Sequence, residues 1–228
     1  MTPLDEARRR EYLAAMGVTL WQRRSRDAVA TTDATDAPAA PAAVTDMDWQ
    51  TLRQAVVNCT KCSLHKTRTQ AVFGVGSQTA QWMFVGEAPG ADEDAKGEPF
   101  VGRAGQLLNA MLFAMGLKRE DVYIANVLKS RPPGNRDPQP NEVECCEPYL
   151  LRQIELIQPK LIVALGRHAT HSLLKTEAPL ARLRGQRLTY HGTPLVVTYH
   201  PAYLLRSPGE KRKAWDDLCL ARRVMESL

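Results

Sequence analysis

The stretch Val85-Gly86-Glu87-Ala88-Pro89-Gly90-Ala91-Asp92-Glu93-Asp94 decides how the rest of the chain is read. It continues a short apolar run, Trp82-Met83-Phe84-Val85, of the length and kind that buries as a parallel strand. Two glycines then flank a proline, so the chain leaves the strand through a tight turn. A ligand can approach such bare backbone closely. Carboxylates follow at once. Far downstream, Tyr199-His200-Pro201-Ala202-Tyr203-Leu204-Leu205-Arg206 leaves a second apolar run, Pro194 to Val197, in the same manner.

Working outward, Val122 to Leu128, Leu161 to Leu165 and Leu195 to Thr198 are further apolar runs. Helical patterns lie between and after them, at Arg103 to Met115, Asn141 to Ile157, Arg167 to Lys175 and Gly209 to Ser227. Strands alternating with helices predict an α/β fold with a central parallel sheet covered on both faces. In such sheets ligands bind outside the carboxyl ends of the strands. Gly86-Glu87, Asn126, Gly166 and His200 all fall there.

The 228 residues, 44% of them hydrophobic, are enough for one substantial core and a small appendage. A formal charge of +5 favours a polyanionic partner without demonstrating one. No apolar segment approaches membrane-span length, and Arg8-Arg9-Arg10-Glu11 lacks the apolar core of a signal peptide. The expected location is cytoplasmic. The five cysteines include one C-x-x-C pair and one adjacent pair, which suits metal or free thiols better than a secreted disulfide scaffold.

Three segments are expected. Residues 1–26 read as an amphipathic docking peptide, with Tyr12, Leu13, Met16, Leu20 and Trp21 as its apolar contacts. Residues 27–47, nearly all Ala, Thr, Asp, Pro and Val, read as a disordered linker. Residues 48–228 form the folded domain.

Several motifs in register resemble family 4 uracil-DNA glycosylase. They are Cys59-x-x-Cys62, Gly86-Glu87-Ala88-Pro89-Gly90, Glu98-Pro99-Phe100-Val101-Gly102, Asn126-Val127-Leu128-Lys129-Ser130-Arg131-Pro132-Pro133, Cys146-x-Pro148-Tyr149-Leu150 and His200-Pro201-Ala202-Tyr203-Leu204-Leu205. The resemblance covers about residues 55 to 225. It implies a three-layer α/β/α sandwich that extrudes uracil from DNA and cleaves its glycosidic bond. A base inside a duplex is out of reach, so such an enzyme must flip it and read its Watson–Crick edge.

On that resemblance Gly86, Glu87, Ala88, Phe100, Asn126 and His200 bind uracil, and Glu87 and His200 carry the catalysis. The Asn126 amide can accept from uracil N3–H and donate to O4, a pattern opposite to cytosine's. Phe100 offers a stacking face, and His200 a donor to O2 where charge builds. Glu87 orients or activates water, with Glu93 as further catalytic support. Gly90 stands where another branch of the superfamily carries a tyrosine that excludes the thymine methyl, so that exclusion must come from elsewhere in the pocket. Arg103, Lys129, Arg131, Arg136 and Arg206 are candidate phosphate contacts. His65, His168, His171 and His191 read as surface or packing residues.

The family holds a [4Fe–4S] cluster on four cysteines. Cys59, Cys62 and Cys146 match that set, but Ser130 stands at the remaining position. The fourth ligand is open between Ser130, Cys145 and Cys219, and because adjacent helical side chains such as Cys145 and Cys146 diverge by about 100°, both can hardly ligate. Separately, Tyr12-Leu13-x-x-Met16-Gly17-Val18-Thr19-x-Trp21-x-x-Arg24 resembles the N-terminal peptide of the psi subunit of the DNA polymerase III clamp loader. That resemblance implies an alternative: a replisome adaptor on a glycosylase body, with clamp-loader or chi proteins as partners and weak or absent catalysis.

Overall fold

The computed structural model describes residues 43–228. The docking peptide, its contacts Tyr12, Leu13, Met16, Leu20 and Trp21, and most of the expected linker lie outside the described residues. Met47, expected at the linker's end, is buried among Leu52, Val56, Phe73 and Tyr149. Its carbonyl accepts from Arg152 Nε at 2.7 Å. Packing of the folded body therefore begins before residue 48.

Six strands form one sheet: β1 (Val75–Gly76), β2 (Trp82–Gly86), β3 (Tyr123–Asn126), β4 (Leu161–Leu165), β5 (Leu188–Tyr190) and β6 (Thr193–Thr198). Their spatial order is β1-β3-β2-β4-β6-β5. The inner four run parallel, as expected, and β1 and β5 add antiparallel edges. Every residue of β2, β3 and β4 is buried, because a parallel sheet covered on both faces leaves no wet side.

The helices are α1 (Trp49–Val57), α2 (Ala91–Lys96), α3 (Arg103–Ala114), α4 (Pro140–Ile157), α5 (Arg167–Leu174), α6 (Leu180–Leu183), α7 (Pro201–Arg206) and α8 (Lys211–Glu226). Side chains alternate across a strand, and the two resulting sets enter different cores. Met83, Val85, Ile162, Ala164 and Val197 pack with Leu150 and Ile154 of α4 and Leu173 of α5. Trp82, Phe84, Leu161, Val163 and Val196 pack with Leu108 and Leu112 of α3 and Leu218 and Ala221 of α8. The result is the three-layer sandwich. At about 1.5–3 kcal/mol for each large apolar side chain buried, these strands form the rigid frame from which the loops at their carboxyl ends project. Among the described residues no helix is long and apolar enough to cross a membrane.

Candidate active site

The carboxyl ends of β2, β3, β4 and β6 open into a cavity of about 670 Å³ lined by Glu87, Phe100, Asn126, Gly166, His168 and His200, among others. Pairing between the exits of β2 and β3 continues past the strands: Val127 N donates to Gly86 O and Leu128 N to Glu87 O, both at 3.0 Å. Glu87 and Asn126 are thus held side by side. A Cβ on Gly86 would lie 2.7 Å from the Phe100 ring and strike the Asn126 amide, so only glycine lets these two side chains meet above it. Gly166 has φ +90°, and a Cβ there would lie 2.7 Å from His200 Cβ.

Asn126 is 2% exposed, yet neither its Oδ1 nor its Nδ2 has a hydrogen-bond partner. Buried amides are nearly always paired, and leaving one polar group unpaired costs about 1–3 kcal/mol. The amide is therefore pre-set for a polar edge that enters from the cavity. Behind it, Lys129 Nζ donates to the Asn126 carbonyl at 2.9 Å and to Gln153 Oε1 at 2.7 Å.

Phe100 has a φ of 54°, rare for a bulky residue, and strain of that kind needs support from its surroundings. Glu93 supplies it. One carboxylate oxygen accepts from Val101 N at 3.0 Å and Gly102 N at 3.2 Å, and the other from Gly90 N at 3.1 Å. Glu93 thus braces the loop that carries Phe100 from the edge of the cavity. The braced Phe100 ring lies 5.5 Å from the His200 ring, centroid to centroid.

His200 caps α7: its Nδ1 accepts from Ala202 N at 3.1 Å. That bond fixes the tautomer with the proton on Nε2. Burial, with Arg206 and His168 adding to it, pushes the His200 pKa down to about 4, so the ring is neutral at physiological pH. Glu87 moves the other way. Burial and the charge of Asp137 raise its carboxyl to about 7, with Arg167 opposing.

The ligand atoms of Glu87, Asp137 and His168 lie within 4.8 Å of one another. His168 Nε2 is 3.3 Å from Asp137 Oδ2, and Arg167 Nη2 stands 3.0 Å from His168 Nε2 and 3.7 Å from Asp137 Oδ2. The Arg167 charge opposes, and the Asp137 charge adds to, the rise of the Glu87 pKa, so the cluster acts as an electrostatic setting for Glu87. His168 is thus a pocket residue, where a surface or packing residue was expected. No local signal marked it, since it joins Asp137 only through the fold.

Residues 73–219 match the family model described as Uracil DNA glycosylase superfamily. The chain belongs to that superfamily. It is 52% identical to the type-4 uracil-DNA glycosylase of Archaeoglobus fulgidus over 161 residues, covering 67% of this chain and 81% of that one. The type-4 uracil-DNA glycosylase of Pyrobaculum aerophilum is 44% identical over 182 residues (76% and 93%). That of Thermotoga maritima is 47% identical over 156 residues (68% and 81%). The adaptor reading draws no support from these matches.

The basic residues of this superfamily member divide by burial. Arg103 and Arg206 are exposed, Arg206 at the cavity rim. Arg131 Nε donates to Asn135 Oδ1 at 2.8 Å. Arg136 lines the cavity, but its guanidinium is held by the buried Glu142 carboxylate at 2.5 and 2.9 Å. Lys129 is 2% exposed and cannot touch a phosphate, which corrects its assignment as a DNA contact. The run after β3 remains inside the protein through Ser130, so a lysine that reads as a basic surface residue is enclosed.

Cys59, Cys62 and Cys146 converge beside the cavity. Cys62 and Cys146 pack with Leu64 and Leu128, and Cys59 and Cys62 both act on the buried Cys146 thiol, whose pKa burial raises to about 11. Ser130 is buried, and its Oγ accepts from Arg68 Nη1 at 2.9 Å. Arg68 Nη2 also donates to the carbonyls of Val57 (2.6 Å) and Cys59 (3.1 Å). Cys219 lies on α8, which packs on the opposite face of the sheet from α4. It is no substitute ligand.

Proposed function

We propose that this chain is a type-4 uracil-DNA glycosylase, hydrolysing the N-glycosidic bond of a uracil flipped out of DNA, in base excision repair in the cytoplasm. The observation that carries the reading is the buried Asn126 amide with both polar atoms free, facing a cavity it shares with Phe100 and His200. Uracil fits that amide edge to edge, N3–H to Oδ1 and O4 to Nδ2–H. Cytosine would set acceptor against acceptor and donor against donor. The Phe100 ring is the stacking face, worth about 1–3 kcal/mol per base.

As the bond to the sugar breaks, its electrons move onto the base and negative charge grows on O2. The neutral His200 presents Nε2–H as a fixed donor there, and a neutral donor binds the developing anion without first being desolvated as a cation. Glu87, once ionised, stabilises the sugar cation and accepts a proton from the attacking water. Arg103, Arg131 and Arg206 hold phosphates of the entering strand. Cys59, Cys62 and Cys146 would supply thiolate ligands to a [4Fe–4S] cluster, which when bound would tie the 59–62 loop to α4.

The test is uracil release from a uracil-containing oligonucleotide by the wild type beside Asn126→Ala. Release by the wild type, reduced at least 10²-fold in the variant with folding intact, supports the reading. No release by well-folded wild type at any salt concentration overturns it.

A further inference from the structure

The position held by Ser130 leaves a cluster of the type proposed above one thiolate short, and the geometry points to where the missing one lies. Cys145 Sγ donates to the carbonyl of Lys61 at 3.4 Å, and Lys61 lies between Cys59 and Cys62. The Cys145 side chain therefore faces the C-x-x-C loop rather than open solvent. Cys62 in turn packs with Cys146 in one apolar cluster with Leu64 and Leu128. Four thiols thus gather where α4 meets the 59–62 loop.

Ser130 is poorly suited to complete the set. Its hydroxyl is tied to a guanidinium that also clamps the Val57 and Cys59 carbonyls. An oxygen donor is also harder than the sulfur that iron–sulfur clusters favour.

The spread of the thiols selects the kind of group. One tetrahedral zinc, with Zn–S about 2.3 Å, needs its sulfurs within about 4 Å of one another. Among the described residues the one group of three or more such donors lying within 4.8 Å is Glu87, Asp137 and His168, and it contains no cysteine. Neighbouring residues on a helix diverge by about 100° and close poorly on a single ion. A cubane presents a separate iron at each corner, so two adjacent cysteines can each take one. The Arg68 guanidinium, which donates to the Cys59 carbonyl at 3.1 Å, stands beside the loop to offset negative charge on the thiolates.

We propose that Cys145 is the fourth thiolate, so that Cys59, Cys62, Cys145 and Cys146 together hold one [4Fe–4S] cluster and Ser130 is left to the Arg68 clamp. The proposal rests on the reading of the chain as a type-4 enzyme, but its readout is separate. Full-length protein is expressed with iron supplied and purified without oxygen, then assayed for iron, acid-labile sulfide and visible absorbance. Wild type should carry about four iron and four sulfide per chain, and Ser130→Ala and Cys219→Ser should retain them. Cys145→Ser should lose the four-iron signature, and adding Ser130→Cys to that variant should restore it. Circular dichroism checks that each variant is folded.

A full cluster in Cys145→Ser, its loss in Ser130→Ala, or an iron-free wild type overturns the assignment. An iron-free wild type that still releases uracil removes this proposal alone. A full cluster without uracil release removes the enzymatic reading and leaves the ligand set standing.

Discussion

Replacing Glu87 by Gln should make the protein more stable while removing its activity, and the gain should depend on pH. In the unfolded chain the carboxyl titrates near 4.5, and in the folded protein burial and the Asp137 charge raise this to about 7. Between those values the native state binds the extra proton, so stability falls as pH rises from 4.5 to 7 and is level above. At about 1.36 kcal/mol per pH unit the full difference is about 3.4 kcal/mol. Glu87 is only half-buried, so solvent screens a large part and about 1–2 kcal/mol remains. For a body of this size that is about 3–6 °C in Tm. Thermal melts of wild type and Glu87→Gln at pH 5, 7 and 8.5 measure it. The variant's advantage should be small at pH 5, grow to pH 7 and hold constant beyond. Equal differences at pH 5 and 8.5, or a less stable variant at pH 8.5, refute the argument. In the wild type, uracil release should rise through pH 7 as the same carboxyl ionises.

His200→Ala should lower kcat by about 10²–10³, the cost of losing one fixed donor to a developing oxyanion. Because the ring titrates near 4, the wild-type rate should show no loss assignable to this residue between pH 6 and 8. Glu93→Ala releases the N–H groups of Gly90, Val101 and Gly102. We expect a stability loss of about 1–3 kcal/mol by urea melt and a fall in kcat/KM as Phe100 loses its brace. Arg206→Ala should weaken DNA binding alike for all sequences and reduce the slope of log K against log salt by about 1. An unchanged slope in a binding titration would take Arg206 out of the phosphate contacts.

The inner strands were legible because a parallel strand buried on both faces is an unbroken apolar run, as at Leu161–Leu165. The edges β1 and β5 were not, since two or three residues with a half-wet face carry no period. Helix α1 was not read from the sequence either, and its N-cap emerges only in the structure, where Asp48 accepts from Thr51 N at 2.8 Å. At the site, Glu87, Asn126 and His200 were readable because each stands where a strand ends. Asp137 and His168 were not, because they meet only once β4 and the segment leading into α4 lie side by side. Glu93 was readable as important but not in its role, since only coordinates show its oxygens turned toward backbone N–H groups. Lys129 shows the limit of reading charge locally, because its depth is set by where the chain goes after β3.

On the proposed reading the Asn126 amide grips the N3–O4 edge of the base, and scission of the bond at N1 leaves that edge unaltered. The liberated heterocycle therefore keeps the contacts that recruited it, and the cavity has no new reason to let it go. On that reading, added free uracil should slow turnover by competing for the same seat.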